Sequence, residues 1–291
     1  MGKPEFDDNL QFETVVEPKN KLFDLDLKEL WKYKDLILLF VKRNFISQYK
    51  QTILGPAWAI IQPLLTTVVF TIVFGNIAGL APGGVNSFVY YLCGNVFWQY
   101  FASCLTMVSH TFTGNSGIFG KVYFPRMVMP IATVLTNLIS LAIQFSFFLV
   151  AWVIFFFVPG YSMAPGWQIV LLPLMLLELA LLALGCGIVI SALTTKYRDL
   201  AMLVSFGVHL WMYATPVAYP AEMFSGSKVE FLYWCNPTCP IIETIRYAFL
   251  GGSAAQFRPE MWGISWITTF IILFIGILLF SKVEKTFMDT V

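Results

Sequence analysis

Inside its long apolar stretches this sequence places one carboxylate, Glu178, and the whole chain has only two histidines, His110 and His209. A carboxylate at membrane depth is costly unless paired, so Glu178 is a functional hypothesis by default. It stands about 11 residues into its stretch, about 16 Å deep at the rise of a helix. His209 lies at similar depth from the other end of the next stretch. Two readings stay open: a Glu178–His209 pair, or a protonated Glu178 bonded to a neighbouring helix. Two groups are too few for a proton relay. Cys235 and Cys239 flank Asn236-Pro237-Thr238, where a disulfide would be constrained by the proline. Cys93, Cys104 and Cys186 read as apolar packing residues. There is no G-x-x-x-x-G-K-[ST] phosphate loop, no H-E-x-x-H and no His/Cys/carboxylate cluster at metal spacing. Neither catalysis nor a bound cofactor or metal is expected of this chain.

Aromatic rings are the abundant chemistry: Phe70, Phe74, Trp98, Tyr100, Phe101, Trp211 and Tyr213. Tyr and Trp gather at both membrane interfaces, so belts and packing account for most of them. The functional reading is a path lined by flat faces, on which sugar rings stack without charge. Phe70 and Phe74 share a helix face at i, i+4, whereas Trp211 and Tyr213 point about 200° apart. Trp211, Phe70 and Phe74 are therefore the favoured pore residues, with Trp98 and Tyr213 behind them.

The elements that position these residues are membrane-spanning. Of 291 residues, 12% are charged and 58% apolar, with a mean hydropathy of +0.73. A soluble domain carries about a quarter charged residues, so a soluble protein, a disordered chain and a disulfide scaffold are excluded. A helix crosses about 30 Å of hydrocarbon in about 20 residues. Six stretches qualify: Pro56–Leu80, Phe88–Ser109, Met127–Val158, Trp167–Thr194, Leu200–Val217 and Met261–Ser281. A barrel would need short alternating segments, and Ile143–Val158 is apolar on every face. Fifteen of the 18 Lys and Arg residues fall before Pro56, in 110–126, in 195–199 or after residue 281. Lys228, Arg246 and Arg258 fall on the other side. Cationic loops stay in the cytosol, so both termini are expected there, with residues 1–27 and 282–291 as cytosolic tails and no signal peptide.

Two segments do not span. In Lys28–Lys50, Leu30, Tyr33, Ile37, Val41 and Phe45 cover one face of a helix, and Lys28, Lys32, Asp35, Lys42 and Lys50 the other. Residues 28–52, with Trp31, Lys42 and Arg43, thus predict a helix lying in the cytoplasmic interface against anionic lipid. The alternative is a soluble amphipathic helix packed on a partner. Gly55-Pro56 then turns the chain into the bilayer. Residues 218–258 are apolar but interrupted by Asn236-Pro237 and Cys239-Pro240, which predicts re-entrant helices between spans five and six. The alternative is a small external domain, marginal at about 40 residues.

Several segments together resemble the membrane subunit of bacterial type-2 ABC exporters for polysaccharides, the O-antigen, capsule and teichoic acid group. They are LGPAWAIIQPLL (54–65), GNVFWQYF (94–101), GKVYFPRMVMP (120–130), TKYRDL (195–200), TPVAYP (215–220) and NPTCPIIETIRYAFLG (236–251). The resemblance runs over about residues 28–291. It implies an all-α permease of the bacterial inner membrane that pairs as a homodimer around one channel, with spans one and five at the seam. It implies two separate ATPase subunits that bind ATP and Mg on the cytosolic side, and a lipid-linked glycan as substrate. A coupling helix falls at 115–126, where Lys121 and Arg126 face the cytosol and Tyr123, Phe124 and Pro125 form an apolar knob. In TKYRDL, Arg198 and Asp199 pair locally. A lipid or drug exporter of the same family is the alternative cargo. A glycan-lipid transferase would need more carboxylates than Glu178 in the spans, and a secondary transporter would need internal repeats. Nothing points to nucleic acid.

Overall fold

The computed structural model describes residues 27–50, 52–122, 124–197, 199–227 and 230–286. Expectations about the tail before residue 27, about Tyr123 and Arg198, and about residues 287–291 lie outside the described residues. Every regular element among the described residues is helical.

Helix α1 (Leu27–Lys32) leads into α2 (Lys34–Tyr49), which packs along a later helix, Val128–Phe156. Leu30 and Phe40 are buried, and Tyr33, Ile37 and Val41 pack on the main core. The face expected to lie in lipid is therefore covered by the chain's own span. The reason is local: Phe40 meets Phe124 at 5.7 Å between ring centroids, and the Tyr49 hydroxyl meets Ser140 Oγ at 3.2 Å. Gly55, at φ +52°, and Pro56 turn the chain through a short 3-10 turn, since only glycine takes that backbone region without strain.

Helix α3 (Trp58–Phe70) contains Pro63 and runs directly into a π-helical segment, Thr71–Ile77. A proline inside a helix removes one backbone bond and bends the axis. Here the turn is secured from outside it. Thr67 Oγ1 donates to the Pro63 carbonyl at 2.7 Å, and Asn95 Nδ2 donates to the same carbonyl at 2.9 Å.

Helix α4 (Ser87–Ser109) is the axis of the bundle. Asn86 caps it, accepting the N–H of Phe88 at 2.9 Å. It is buried along nearly all its length and touches α3 and the later helices Val128–Phe156, Leu172–Lys196, Leu200–Tyr213 and Thr238–Leu250. Helix α5 (Thr111–Phe119) follows, then α6 (Val128–Phe156), α7 (Leu172–Lys196), α8 (Leu200–Tyr213), α9 (Glu230–Trp234), α10 (Thr238–Leu250) and α11 (Pro259–Thr286). The α7–α11 pair approaches most intimately. A Cβ at Gly276 would come within 2.9 Å of the Gly185 carbonyl, and one at Gly185 within 3.0 Å of the Leu273 backbone. Small residues let backbones come this close, the usual device where apolar solvent supplies no hydrophobic drive.

Among the described residues, four segments are long and apolar enough to cross a membrane: Gly55–Ile77, Val128–Phe156, Trp167–Thr195 and Pro259–Glu284. These match four of the six expected stretches to within a few residues. The other two differ for physical reasons. α4 has the length, but Asn95, Gln99 and its tyrosines dilute its hydropathy, which a helix enclosed by its neighbours tolerates. α8 is apolar but only 14 residues long. Outward faces of α3, α6, α8 and α11 expose Val69, Ile154, Phe206 and Phe270 among many large apolar residues. An apolar shell of that extent belongs in lipid or against a partner.

Candidate functional site

The first candidate feature is the aromatic set. Phe70 and Trp98 are 5% and 3% exposed. Phe70 packs edge-on against Phe74 and Tyr91, and Trp98 packs at a tilt against Phe101. Phe70 and Trp98 are packing residues of this chain, so the expectation that they line a path between two chains is corrected. Phe74 and Trp211 are half-buried, and Trp211 meets Phe101 at 5.2 Å. Tyr213, ranked last from the sequence, is 53% exposed. Burial of Val204 and Val208 seats α8 on its inner side and leaves Met202, Phe206, His209 and Tyr213 exposed. At i, i+4, i+7 and i+11 those four form one stripe.

The second feature is a polar knot at one end of the bundle, around the segment Asn236–Arg246. Asn236 Oδ1 accepts the Trp211 indole N–H at 2.9 Å and the Thr238 hydroxyl at 2.8 Å. Its Nδ2 donates to the Ala214 carbonyl at 2.9 Å and to Thr215 Oγ1 at 3.1 Å. Pro216 and Val217 extend this junction. Their carbonyls accept from the fully buried guanidinium of Arg246, at 2.8 Å for Val217. Arg246 also donates to the Tyr90 hydroxyl at 2.9 Å, lies 4.0 Å from that ring's centroid and pairs with Glu243 at 3.5 Å. Glu243 in turn accepts the N–H of Gln256 at 3.2 Å. A buried charge pair is tolerable only when hydrogen bonds satisfy its remaining polar atoms, and these contacts satisfy most of them. Arg246, grouped by the sequence with the few cations of the non-cytosolic side, is instead fully buried, and Glu243 is its partner. Opposite charges at i, i+3 between apolar residues on both sides were the available signal.

Glu178 belongs to the same knot. Its carboxylate accepts the Trp262 indole N–H at 2.6 Å and the Ser265 hydroxyl at 2.6 Å. Ser265 Oγ also lies 2.8 Å from the Pro237 carbonyl. The Ser265 hydroxyl thus stands between two acceptors, the Glu178 carboxyl and the Pro237 carbonyl. His209 is exposed on α8, so the open choice resolves against the Glu178–His209 pair. The five cysteines are free thiols, so Cys235 and Cys239 are not bridged.

Outside the main core, Ala221, Tyr233, Trp234 and Cys239 form a small second cluster, with Tyr219, Phe224 and Met261 against it. α10 is buried in the main core. The segment 218–258 thus divides into a small lobe with its own cluster and a helix embedded in the bundle. Glu230 closes the lobe: it pairs with Arg258 at 2.7 Å and accepts the Gly226 N–H at 2.7 Å.

The third feature is the opposite end. α5 starts earlier than the expected 115–126 helix, and residues after Phe119 form a loop. Lys121 is exposed there and Pro125 half-buried. Phe124 is buried between Phe40 and Phe119, at 5.7 and 5.8 Å between centroids. Arg126 is 8% exposed and donates to the Glu284 carbonyl at 2.9 Å. Phe124 and Arg126 therefore fasten this loop to α2 and α11 and do not project into the cytosol as expected. Trp31 on α1 is 73% exposed, and Lys42 and Arg43 are exposed on α2. Asp199 caps α8 through the Leu200 N–H at 3.1 Å. No group of three His, Cys or carboxylate side chains suited to a metal occurs among the described residues.

Residues 35–250 match the ABC-2 type transporter family. The chain is 27% identical over 256 residues to an O-antigen export system permease protein, RfbA, of Klebsiella pneumoniae, covering 88% of this chain and 94% of the relative. The RfbA protein of Myxococcus xanthus is 27% identical over 237 residues, covering 81% and 88%. The polysialic acid transport protein KpsM of Escherichia coli is 21% identical over 258 residues, covering 85% and 93%.

Proposed function

This chain belongs to the ABC-2 type transporter family, and from that premise we propose that it is the transmembrane subunit of an ATP-driven exporter of a lipid-linked polysaccharide. The observation that carries the reading is the match along 88% of the chain to O-antigen export permeases. An exporter of lipid or of a hydrophobic drug is the alternative, and the polysaccharide relatives weigh against it.

The protein crosses the bacterial inner membrane six times, through α3 with its π-helical end, α4, α6, α7, α8 and α11, with both termini in the cytosol. Residues 56–281 form the membrane domain, with α10 re-entrant and the lobe around α9 external. Residues 28–52 lie at the cytosolic interface, where Trp31, Lys42 and Arg43 meet headgroups while the opposite face rests on α6. Two copies pair along α3 and α8, whose outward faces are apolar. Phe74, Trp211 and Tyr213 then flank the path, and Tyr213 meets the polymer most directly. Two ATPase subunits, holding ATP and Mg, dock on α5 and the loop bearing Lys121 and Tyr123. Closure of the ATPases moves that surface, the seam opens, and the glycan slides along rings that bind it without charge.

Deletion of the chain in its native cell, followed by glycan analysis, tests this directly. Loss of surface polysaccharide with accumulation of its lipid-linked form inside is expected. Normal surface glycan, with loss of a phospholipid or of drug resistance instead, overturns the cargo assignment. Copurification from the native membrane without any P-loop protein overturns the transporter itself.

A further inference from the structure

Helix α11 joins the cytosolic loop to the outer knot. At its cytosolic end the segment Thr111–Arg126 holds it three times. Phe112 stacks on Phe280 at 4.6 Å between centroids, the Arg126 backbone N–H donates to Glu284 Oε1 at 3.1 Å, and Arg126 Nη1 donates to the Glu284 carbonyl. At its outer end Trp262 and Ser265 bond Glu178, and Ser265 reaches the Pro237 carbonyl. Asn236, the next residue, holds Trp211, Ala214 and Thr215 at the end of α8. Residues 262 and 284 lie about 33 Å apart along a helix. Between them the interlocked glycines Gly185 and Gly276 bind α11 to α7 backbone to backbone, which stiffens the rod.

We infer that the α7–α11 pair is the rigid rod that carries movement of the cytosolic loop to the outer end of α8, with Glu284 and Ser265 as the positioning residues that fasten its two ends. The inference rests on the transport reading above and adds the route. A push on the Arg126 loop displaces Glu284. The stiff pair cannot absorb the displacement by bending, so Ser265 moves Pro237, and Asn236 moves the α8 end that carries Trp211 and Tyr213. Span five is then driven from its outer end as well as from the cytosol.

The test uses the purified permease–ATPase complex in vesicles, measuring ATP hydrolysed per polymer exported. Glu284→Ala and Ser265→Ala should each leave the complex assembled and raise this ratio about threefold, the size expected of a mid-route link. Glu284→Gln keeps the acceptor oxygen and should restore the wild-type ratio. The double variant should be no worse than the worse single one, because both breaks interrupt one rod. A double effect near the product, about ninefold, would mean independent sites and would overturn the rod. So would single variants that lower abundance with an unchanged ratio. If Glu284→Ala does not accumulate, Arg126→Lys takes its place in the cycle under the same two criteria. A wild-type complex that neither assembles with an ATPase nor exports polymer brings down the transport reading itself. A wild type that does both, with unaltered ratios in the variants, brings down the rod alone.

Discussion

Gly94 and Arg246 occupy complementary space: a Cβ built at Gly94 would overlap the Arg246 guanidinium, which fills that notch and lies 4.0 Å from the Tyr90 ring centroid. The glycine of GNVFWQYF and the arginine of NPTCPIIETIRYAFLG, 152 positions apart in the chain, are therefore two halves of one contact. That contact fixes α10 against α4 and, through the carbonyls of Pro216 and Val217, against the end of α8.

Gly94→Ala should destabilise the protein by about 1–3 kcal/mol, the usual cost of overpacking a full interior. Gly114→Ala and Gly263→Ala, where nothing lies within 4 Å, should be neutral or slightly stabilising, since alanine favours a helix. Thermal unfolding of the detergent-solubilised chain reads the difference. Equal midpoints for all three variants would remove the notch from the account.

Glu243 and Arg246 should show strong coupling in a double-mutant cycle. Arg246→Met leaves a buried carboxylate without its partner, and Glu243→Gln leaves a buried guanidinium. Each single variant should cost about 3–5 kcal/mol, and the pair together clearly less than the sum. Additive losses in unfolding midpoint would show that the two side chains act separately.

Tyr213→Ala and Trp98→Ala should fail in opposite ways. Tyr213 is exposed and Trp98 is enclosed. Removing the tyrosine should slow export about threefold to tenfold, a stacking contribution of ~1 kcal/mol, with unchanged stability. Removing the tryptophan should cost about 3–5 kcal/mol of stability through a cavity. A cysteine at 213 should react with a water-soluble thiol reagent, and polymer in transit should protect it. A cysteine at 98 should stay unlabelled.

The lobe that Glu230 closes should loosen only in acid. The Gly226 N–H, then the Arg258 guanidinium, hold the Glu230 carboxyl below the usual carboxylate range. A depressed folded-state pKa means its contribution is complete above the unfolded value, about 4.3, and is lost as pH falls through the lower folded value. Hydrogen-exchange protection in residues 219–237, taken relative to the intrinsic exchange rate at each pH, should therefore stay level from neutral pH down to about pH 4 and fall below it. Glu230→Gln should show the faster exchange already at neutral pH and lose the acid step. An acid step that survives the substitution would assign the sensitivity to another group.

Composition and charge placement determined much of this protein in advance. Twelve per cent charge with long uncharged stretches leaves helices in a bilayer as the only way to satisfy the backbone. The lengths of α3 with its π-helical end, α6, α7 and α11 follow from that. The same constraint made the motifs visible, because glycine, proline and buried polar residues stand out in so apolar a chain. Which side chains meet was decided by tertiary packing alone. Periodicity gives a residue's face but not its neighbour, so Phe70 and Trp98 read as free rings until α4 was seen enclosed by five helices. Arg126 and Arg246 read as solvated charges, because nothing local tells a guanidinium facing water from one satisfied by distant carbonyls. Glu178 is legible from the sequence, since a lone carboxylate in hydrocarbon is conspicuous. Its partners Trp262 and Ser265 lie 84 and 87 residues further on, and only the close approach of α7 and α11 through Gly185 and Gly276 brings them within hydrogen-bond reach.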